Sequence, residues 1–285
     1  MSTIDLKSFE SMLPSYADLN EWQQYQYDMM LRMCEIHNDR DGMYNWVAGH
    51  SGSQEDFYFR KYRILRAHEG TPSWTYCCGV TMEHFMNCWR SWMEDDYESD
   101  IDMTLDFCKE LLAYFFVYDD PPNQKYKYGC AKGIEALGQE INRRWEEAKS
   151  KAPDPSIYDD GFDLTFNYHT DPYKAKFGDY VQLQPHADPL KAGHSAIFVC
   201  MEKRERNGVE EDCIRVFNSN TESGNGYGYG SGIGLTWYWL NKYDNDGFRR
   251  VLHFGSVEPV NDIPSGNNEL FGIINFSGVF KVNLK

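Results

Sequence analysis

The chain has 285 residues with 28 Lys and Arg against 44 Asp and Glu, a formal charge of −16 and a pI near 4.9. That acidity excludes nucleic acid and anionic membrane surfaces as expected partners, because both are bound by clustered Lys and Arg. With 41% hydrophobic and 25% charged residues, the composition is that of an ordinary globular protein, long enough to bury a large core.

The N-terminal stretch, residues 1–16, has neither a basic start nor an apolar core, so it does not read as a secretory signal. No run approaches the ~18 apolar residues of a membrane span. Eight cysteines are scattered through apolar patterns without a C-x-x-C pair, which suits reduced thiols rather than disulfides. A protein that is cytoplasmic as synthesised is the expectation, with export by a route that leaves no cleaved signal as the alternative. Monomer is the default.

The first half reads as helical. Residues 19–38 place Trp22, Tyr25, Met29, Met33 and Ile36 on one face, and a loop with Ser51, Gly52 and Ser53 follows. A second helix is predicted from Thr75 or Tyr76 through Phe85, Cys88, Trp89 and Trp92. Residues 100–118 and 132–151 give two more, the last stopped by Pro153 and Pro155. The second half turns to β-structure. Runs at 180–183, 194–201, 213–218, 236–240, 250–254 and 270–284 read as strands, and Glu205-Arg206-Asn207-Gly208 is a hairpin signal. Residues 194–201 are apolar on both alternating faces, the signature of a central strand. Helices followed by antiparallel strands give an α+β fold in one domain spanning 1–285. Its parts are a helical extension (1–70), a predicted helical segment (71–151) and a β-sheet region (152–285). The glycine-rich stretch 224–234 lacks the Gly-Lys-Ser/Thr of a phosphate loop. It reads as a loop whose Tyr227 and Tyr229 wall a substrate site together with Tyr76.

Two segments carry chemistry. A cysteine at a helix N-terminus, as in Tyr76-Cys77-Cys78-Gly79, meets unpaired N–H groups that favour the thiolate, and Gly79 admits a closely packed neighbour. A histidine opening a buried strand, as in Gly193-His194-Ser195, is rigidly held yet accessible for general-base work. The other histidines (37, 50, 68, 84, 169, 186 and 253) fall in loops or on helix faces in this reading. A partner that orients His194 must share its face of the sheet. A two-residue hairpin loop places Thr221 and Ser219 beside it, whereas an odd loop or a bulge places Asn220 and Asn218 there. Asn218 is the choice, since an asparagine amide can fix the imidazole tautomer.

Together, Cys77-Cys78-Gly79-Val80 with Phe85, and Gly178-Asp179-x-Val181 followed by Gly193-His194-Ser195, resemble the NlpC-type cell-wall peptidases and their CHAP-type relatives. That resemblance implies a papain-like α+β fold, with an inserted helical segment between the nucleophile helix and the sheet. It implies amide hydrolysis, most often in peptidoglycan peptides, with Cys77 as nucleophile, His194 as base and a third polar residue. Three features depart from the pattern: Tyr76 precedes the nucleophile, Cys78 replaces a serine and so leaves the nucleophile open by one position, and 117 residues separate Cys77 from His194. No metal or cofactor is implied. A metal site would need Cys77, Cys78 and His194 to converge with a further ligand. The readings in competition are an inactive glycan- or peptide-binding module on the same fold and a thiol acyltransferase.

Overall fold

The computed structural model describes residues 3–45, 49–59, 62–92, 114–115, 129–158, 164–184, 193–220, 232–240 and 251–260. Among the described residues, four helices pack on one face of a six-stranded antiparallel sheet, so the chain is α+β. A short helix α1 (Leu6–Glu10) leads to α2 (Glu21–Asp39), which starts with a reciprocal capping box. Asn20 accepts from the Gln23 backbone, and Gln23 accepts from the Asn20 backbone. The buried stripe Trp22, Met29, Met30 and Met33 turns α2 onto α3 (Cys77–Trp92), where Trp22 meets Trp92 edge to face and Phe85 at a tilt. Helix α4 (Gly129–Lys151) buries Ile134, Leu137, Ile141 and Trp145, while Arg143 and Glu140 pair on its exposed side.

The helical first half also contains four short strands that the sequence pattern does not announce. They are β1 (Met43–Tyr44), β2 (Phe57–Phe59), β3 (Tyr62–Leu65) and β4 (Trp74–Thr75), paired β1 with β4 and β2 with β3. The main sheet comprises β5 (Leu164–His169), β6 (Tyr180–Gln184), β7 (His194–Arg206), β8 (Val209–Asn220), β9 (Gly232–Trp239) and β10 (Val251–Pro259). Its order is β5-β10-β6-β7-β8-β9, which puts β7 in the interior as its apolar faces require. Tyr180, Ile197, Phe217 and Leu235 face the helices, and Val181, Ala196, Phe198, Val216 and Phe254 form a second apolar cluster on the far face. The strand at 164–169 escapes the sequence reading, and His169 and His253 therefore lie on strands, β5 and β10, rather than in loops or on helices. An edge strand with one neighbour needs only one buried face, so its sequence can stay half polar.

The β7–β8 hairpin settles which residues face His194. Asn207 and Gly208, at φ 54° and 78°, make the two-residue turn, and Arg206 pairs with Val209. Between Phe198 and Cys200 a bulge inserts one residue, so Ile197 pairs with Phe217 and Phe198 with Val216. This single extra residue flips the parity beyond it. It turns Asn218 to the face of His194 and Ser219 to the helix face. Predicted elements at 100–118 (apart from residues 114–115) and 270–284, the bulk of the glycine-rich stretch with Tyr227 and Tyr229, and Thr221 lie outside the described residues. No helix among the described residues is long and apolar enough to cross a membrane.

Candidate active site

Cys77 is the first residue of α3. Tyr76 occupies the cap position, its carbonyl accepting from Val80 N–H at 3.1 Å. Its phenol cannot cap the helix, because the hydroxyl donates to the His50 carbonyl at 3.2 Å. The first-turn amides thus keep their positive field for what lies at the N-terminus. The Thr81 hydroxyl closes the turn, lying 3.0 Å from the Cys77 carbonyl and 2.9 Å from that of Cys78. Gly79 lets the chain at Ser51–Gly52 lie directly on this turn, since a Cβ at Gly79 would fall 2.2 Å from the Gly52 carbonyl carbon and the Ser51 oxygen. That loop is tied down by buried Glu83 of α3, whose carboxylate accepts from Gln54 N–H (2.9 Å) and Glu55 N–H (3.1 Å).

The sheet meets the helix start through both of its faces. On the helix side, Ser195 Oγ lies 3.5 Å from Cys78 Sγ and donates to Gln182 Oε1 at 2.9 Å. Ser219 Oγ lies 2.7 Å from Thr75 Oγ1, which ties the strand leading into Cys77 to the strand bearing Asn218. On the other parity, buried Asn218 places Nδ2 3.0 Å from His194 Nε2, 2.7 Å from Thr236 Oγ1 and 3.5 Å from Tyr238 Oη. The Tyr238 ring stands 6.0 Å from the imidazole.

The electrostatics separate the two thiols. Cys77 is held well below the usual thiol range: the Cys78 hydrogen bond contributes most and burial opposes it. The charge and hydrogen bond of His194, and then the Ser195 backbone amide, add to the lowering. Cys78 moves the other way, pushed up first by Cys77 and then by burial. Of the two thiols, whose sulfurs lie 3.9 Å apart, Cys77 is the one shifted toward thiolate and Cys78 the one shifted toward thiol. Since Asn218 engages Nε2 of His194, Nδ1 is the ring nitrogen left to serve Cys77. With Nδ2 toward Nε2, the amide holds a neutral ring protonated on Nδ1, while its Oδ1 has no partner. Turned end for end, Oδ1 accepts from Nε2–H and supports an imidazolium.

The structure thus brings Cys77, His194 and Asn218 together. Asn220 lies farther along the same face, its Nδ2 donating to Tyr238 Oη at 3.1 Å. Tyr76 packs on Gly52 and His50, and Tyr227 and Tyr229 fall outside the described residues. Two neighbours escape the sequence reading. Burial first, and then the charges of Cys77, Cys78 and Tyr238, push the Tyr44 phenol up to about 12. A two-residue strand leaves no pattern to find it by. Cys130, near the start of α4, interacts with Ser195 and Cys77, and its thiol is pushed up to about 12, mainly by burial. Among the described residues, no group of three or more His, Cys, Asp or Glu side chains is arranged to hold a metal ion. Comparison with protein-family models, curated proteins and solved structures returns no match for this chain.

Proposed function

We propose that this chain is a cysteine-dependent amidase or peptidase of the NlpC/CHAP type with a papain-like α+β architecture. In this reading it hydrolyses an amide bond in a peptidoglycan-type peptide. The observation that carries the reading is the division of labour at the helix start, where Cys77 is driven toward thiolate by Cys78 and His194 while Asn218 sits 3.0 Å behind the imidazole.

The chemistry follows as nucleophilic catalysis. The Cys77 thiolate attacks the amide carbonyl, and backbone N–H groups of the first turn of α3, that of Cys77 among them, meet the developing oxyanion. His194 protonates the leaving amine from Nδ1, then takes a proton from the water that attacks the thioester. Asn218 keeps the ring in one orientation through both steps, with Oδ1 accepting from Nε2–H so that Nδ1 alone gives and takes the proton. Tyr44 and Tyr238 border the space where the acyl group would lie.

The test is digestion of purified muropeptides and of a mixed peptide-amide library, followed by mass spectrometry of products and of the intact protein. The reading expects new amine termini, and a Cys77-linked acyl adduct on acid quench, both lost in Cys77→Ala and in His194→Ala. Ligand binding without turnover in any of the three proteins would replace it with the inactive binding module. Transfer of the acyl group to an added amine in preference to water would make it an acyltransferase.

A further inference from the structure

The vicinal pair Cys77-Cys78 opens α3 with its two sulfurs 3.9 Å apart, an arrangement that hydrolysis itself does not need. We propose that the pair is a reversible oxidation site for hydroperoxides, in which Cys78 captures a sulfenic acid formed on Cys77 and closes a vicinal disulfide.

In the first step the Cys77 thiolate sulfur attacks the terminal oxygen of ROOH. The O–O bond breaks, RO⁻ leaves and takes a proton as ROH, and Cys77 becomes Cys–SOH. In the second step the Cys78 sulfur attacks the Cys77 sulfur. The S–O bond breaks, and the hydroxide leaves as water with the Cys78 proton. The peroxide has then taken two electrons and two thiols have become one disulfide, which an external dithiol reverses by returning two electrons and two protons.

Three observations favour Cys78 as the resolving thiol. First, the Cys77 thiolate is what chiefly holds the Cys78 proton in place, by hydrogen bond and by charge. Conversion of that thiolate to a neutral sulfenic acid removes the restraint, so Cys78 becomes nucleophilic only once it is needed. Second, the Ser195 hydroxyl proton is committed to Gln182 Oε1, which leaves its oxygen lone pairs to receive the Cys78 proton at 3.5 Å. Third, the nearby Cys130 is turned elsewhere, its S–H donating to the Val181 carbonyl at 3.3 Å. Adjacent residues have Cα atoms only about 3.8 Å apart, below the usual disulfide span. The bond is therefore strained and easily reduced, and a helix N-terminus is where the backbone can yield to form it. This inference rests on the approach of the two sulfurs at the helix start, with Cys130 turned away, and not on the bond the protein cleaves, so its test uses no activity.

Reduced native protein is treated with stoichiometric hydrogen peroxide, alkylated under denaturing conditions and digested with trypsin. Residues 67–90 then carry Cys77, Cys78 and Cys88 in one peptide, and residues 128–132 carry Cys130 in another. The expected product is the 67–90 peptide short of two hydrogens and alkylated only at Cys88, with all three thiols recovered after treatment with a dithiol. In Cys78→Ser, which keeps a hydroxyl donor but cannot form the bond, Cys77 should stop at the sulfenic acid with one equivalent of peroxide and advance with a second to the sulfinic acid, which a dithiol does not reverse. A cross-link between the 67–90 and 128–132 peptides, or sulfinic acid at Cys77 in the unaltered protein without the disulfide, would overturn the proposal. The unaltered protein decides the matter even if the variant does not fold.

Discussion

Replacing Gly79 with alanine puts a methyl group where the Ser51–Gly52 backbone passes over the start of α3. The new Cβ would sit 2.2 Å from two backbone atoms of that loop, about 1.2 Å short of ordinary contact. The loop has little freedom to retreat. The Glu83 carboxylate holds the Gln54 and Glu55 amides, Ser51 N–H donates to the Arg66 carbonyl at 2.6 Å, and Tyr76 N–H to the Gly52 carbonyl at 3.2 Å. Helix propensity alone would make the change favourable by about 1 kcal/mol. Overpacking against backbone costs about 1–3 kcal/mol, and the anchored loop places this site at the upper end. The net expectation is a loss of about 1–2 kcal/mol, seen calorimetrically as a Tm lower by roughly 2–6 °C. Gly208→Ala is the comparison, because nothing stands within 4 Å of its Cβ and only the φ of +78° opposes it. An unchanged or higher Tm for Gly79→Ala would refute the seating of the loop on the helix turn.

Other outcomes follow from the same contacts. Burial raises the Glu83 carboxyl to about 8, so its contribution to stability is present below the unfolded value near 4.5 and is lost as pH rises toward about 8. Glu83→Gln should remove that decline, worth about 1.36 kcal/mol per pH unit, in urea titrations across the window; an unchanged slope would count against the upward shift of the buried Glu83 carboxyl. His84, lowered to about 4 by burial, works in the opposite sense, with stability present above about 6.5 and lost as pH falls toward 4. In His84→Gln the stability should fall less steeply over that acid range, and an equal fall would contradict the assignment. Asn218→Ala removes the partner of an imidazole that must become charged, a bond worth about 1.5–3 kcal/mol. Cys77 alkylation at pH 6 should slow about 10- to 100-fold in that variant, and an unchanged rate would remove Asn218 from the site.

Much of this arrangement was legible in the sequence where burial demands a pattern. The interior strand β7 had to be apolar on both faces, and α3 had to bury Phe85, Cys88 and Trp89, so both elements could be read directly, although α3 begins at Cys77 rather than at Thr75 or Tyr76 and the pattern left Cys77 and Cys78 both open as nucleophile. The hairpin turn was legible because Asn207 and Gly208 adopt left-handed backbone conformations that few other residues tolerate. The bulge after Phe198 was not, since Ile197-Phe198-Val199-Cys200 carries no local signal of an extra residue. Parity could therefore only be stated as two cases, Thr221 and Ser219 or Asn220 and Asn218. Cys130 and Tyr44 were invisible for a related reason, because a neighbour contributed by a distant segment has no periodicity relative to the site it joins.

The most direct test of a thiolate at Cys77 supported by His194 is site-resolved alkylation by iodoacetamide as a function of pH. An ordinary thiol, with a pKa near ~8.5, labels slowly at pH 6. Cys77 should label fast at pH 6 while Cys78 and the half-buried Cys200 lag, and the advantage should disappear in His194→Ala. If Cys77 labels at pH 6 no faster than Cys200, or if Cys78 is the fast residue, the account of the site is contradicted.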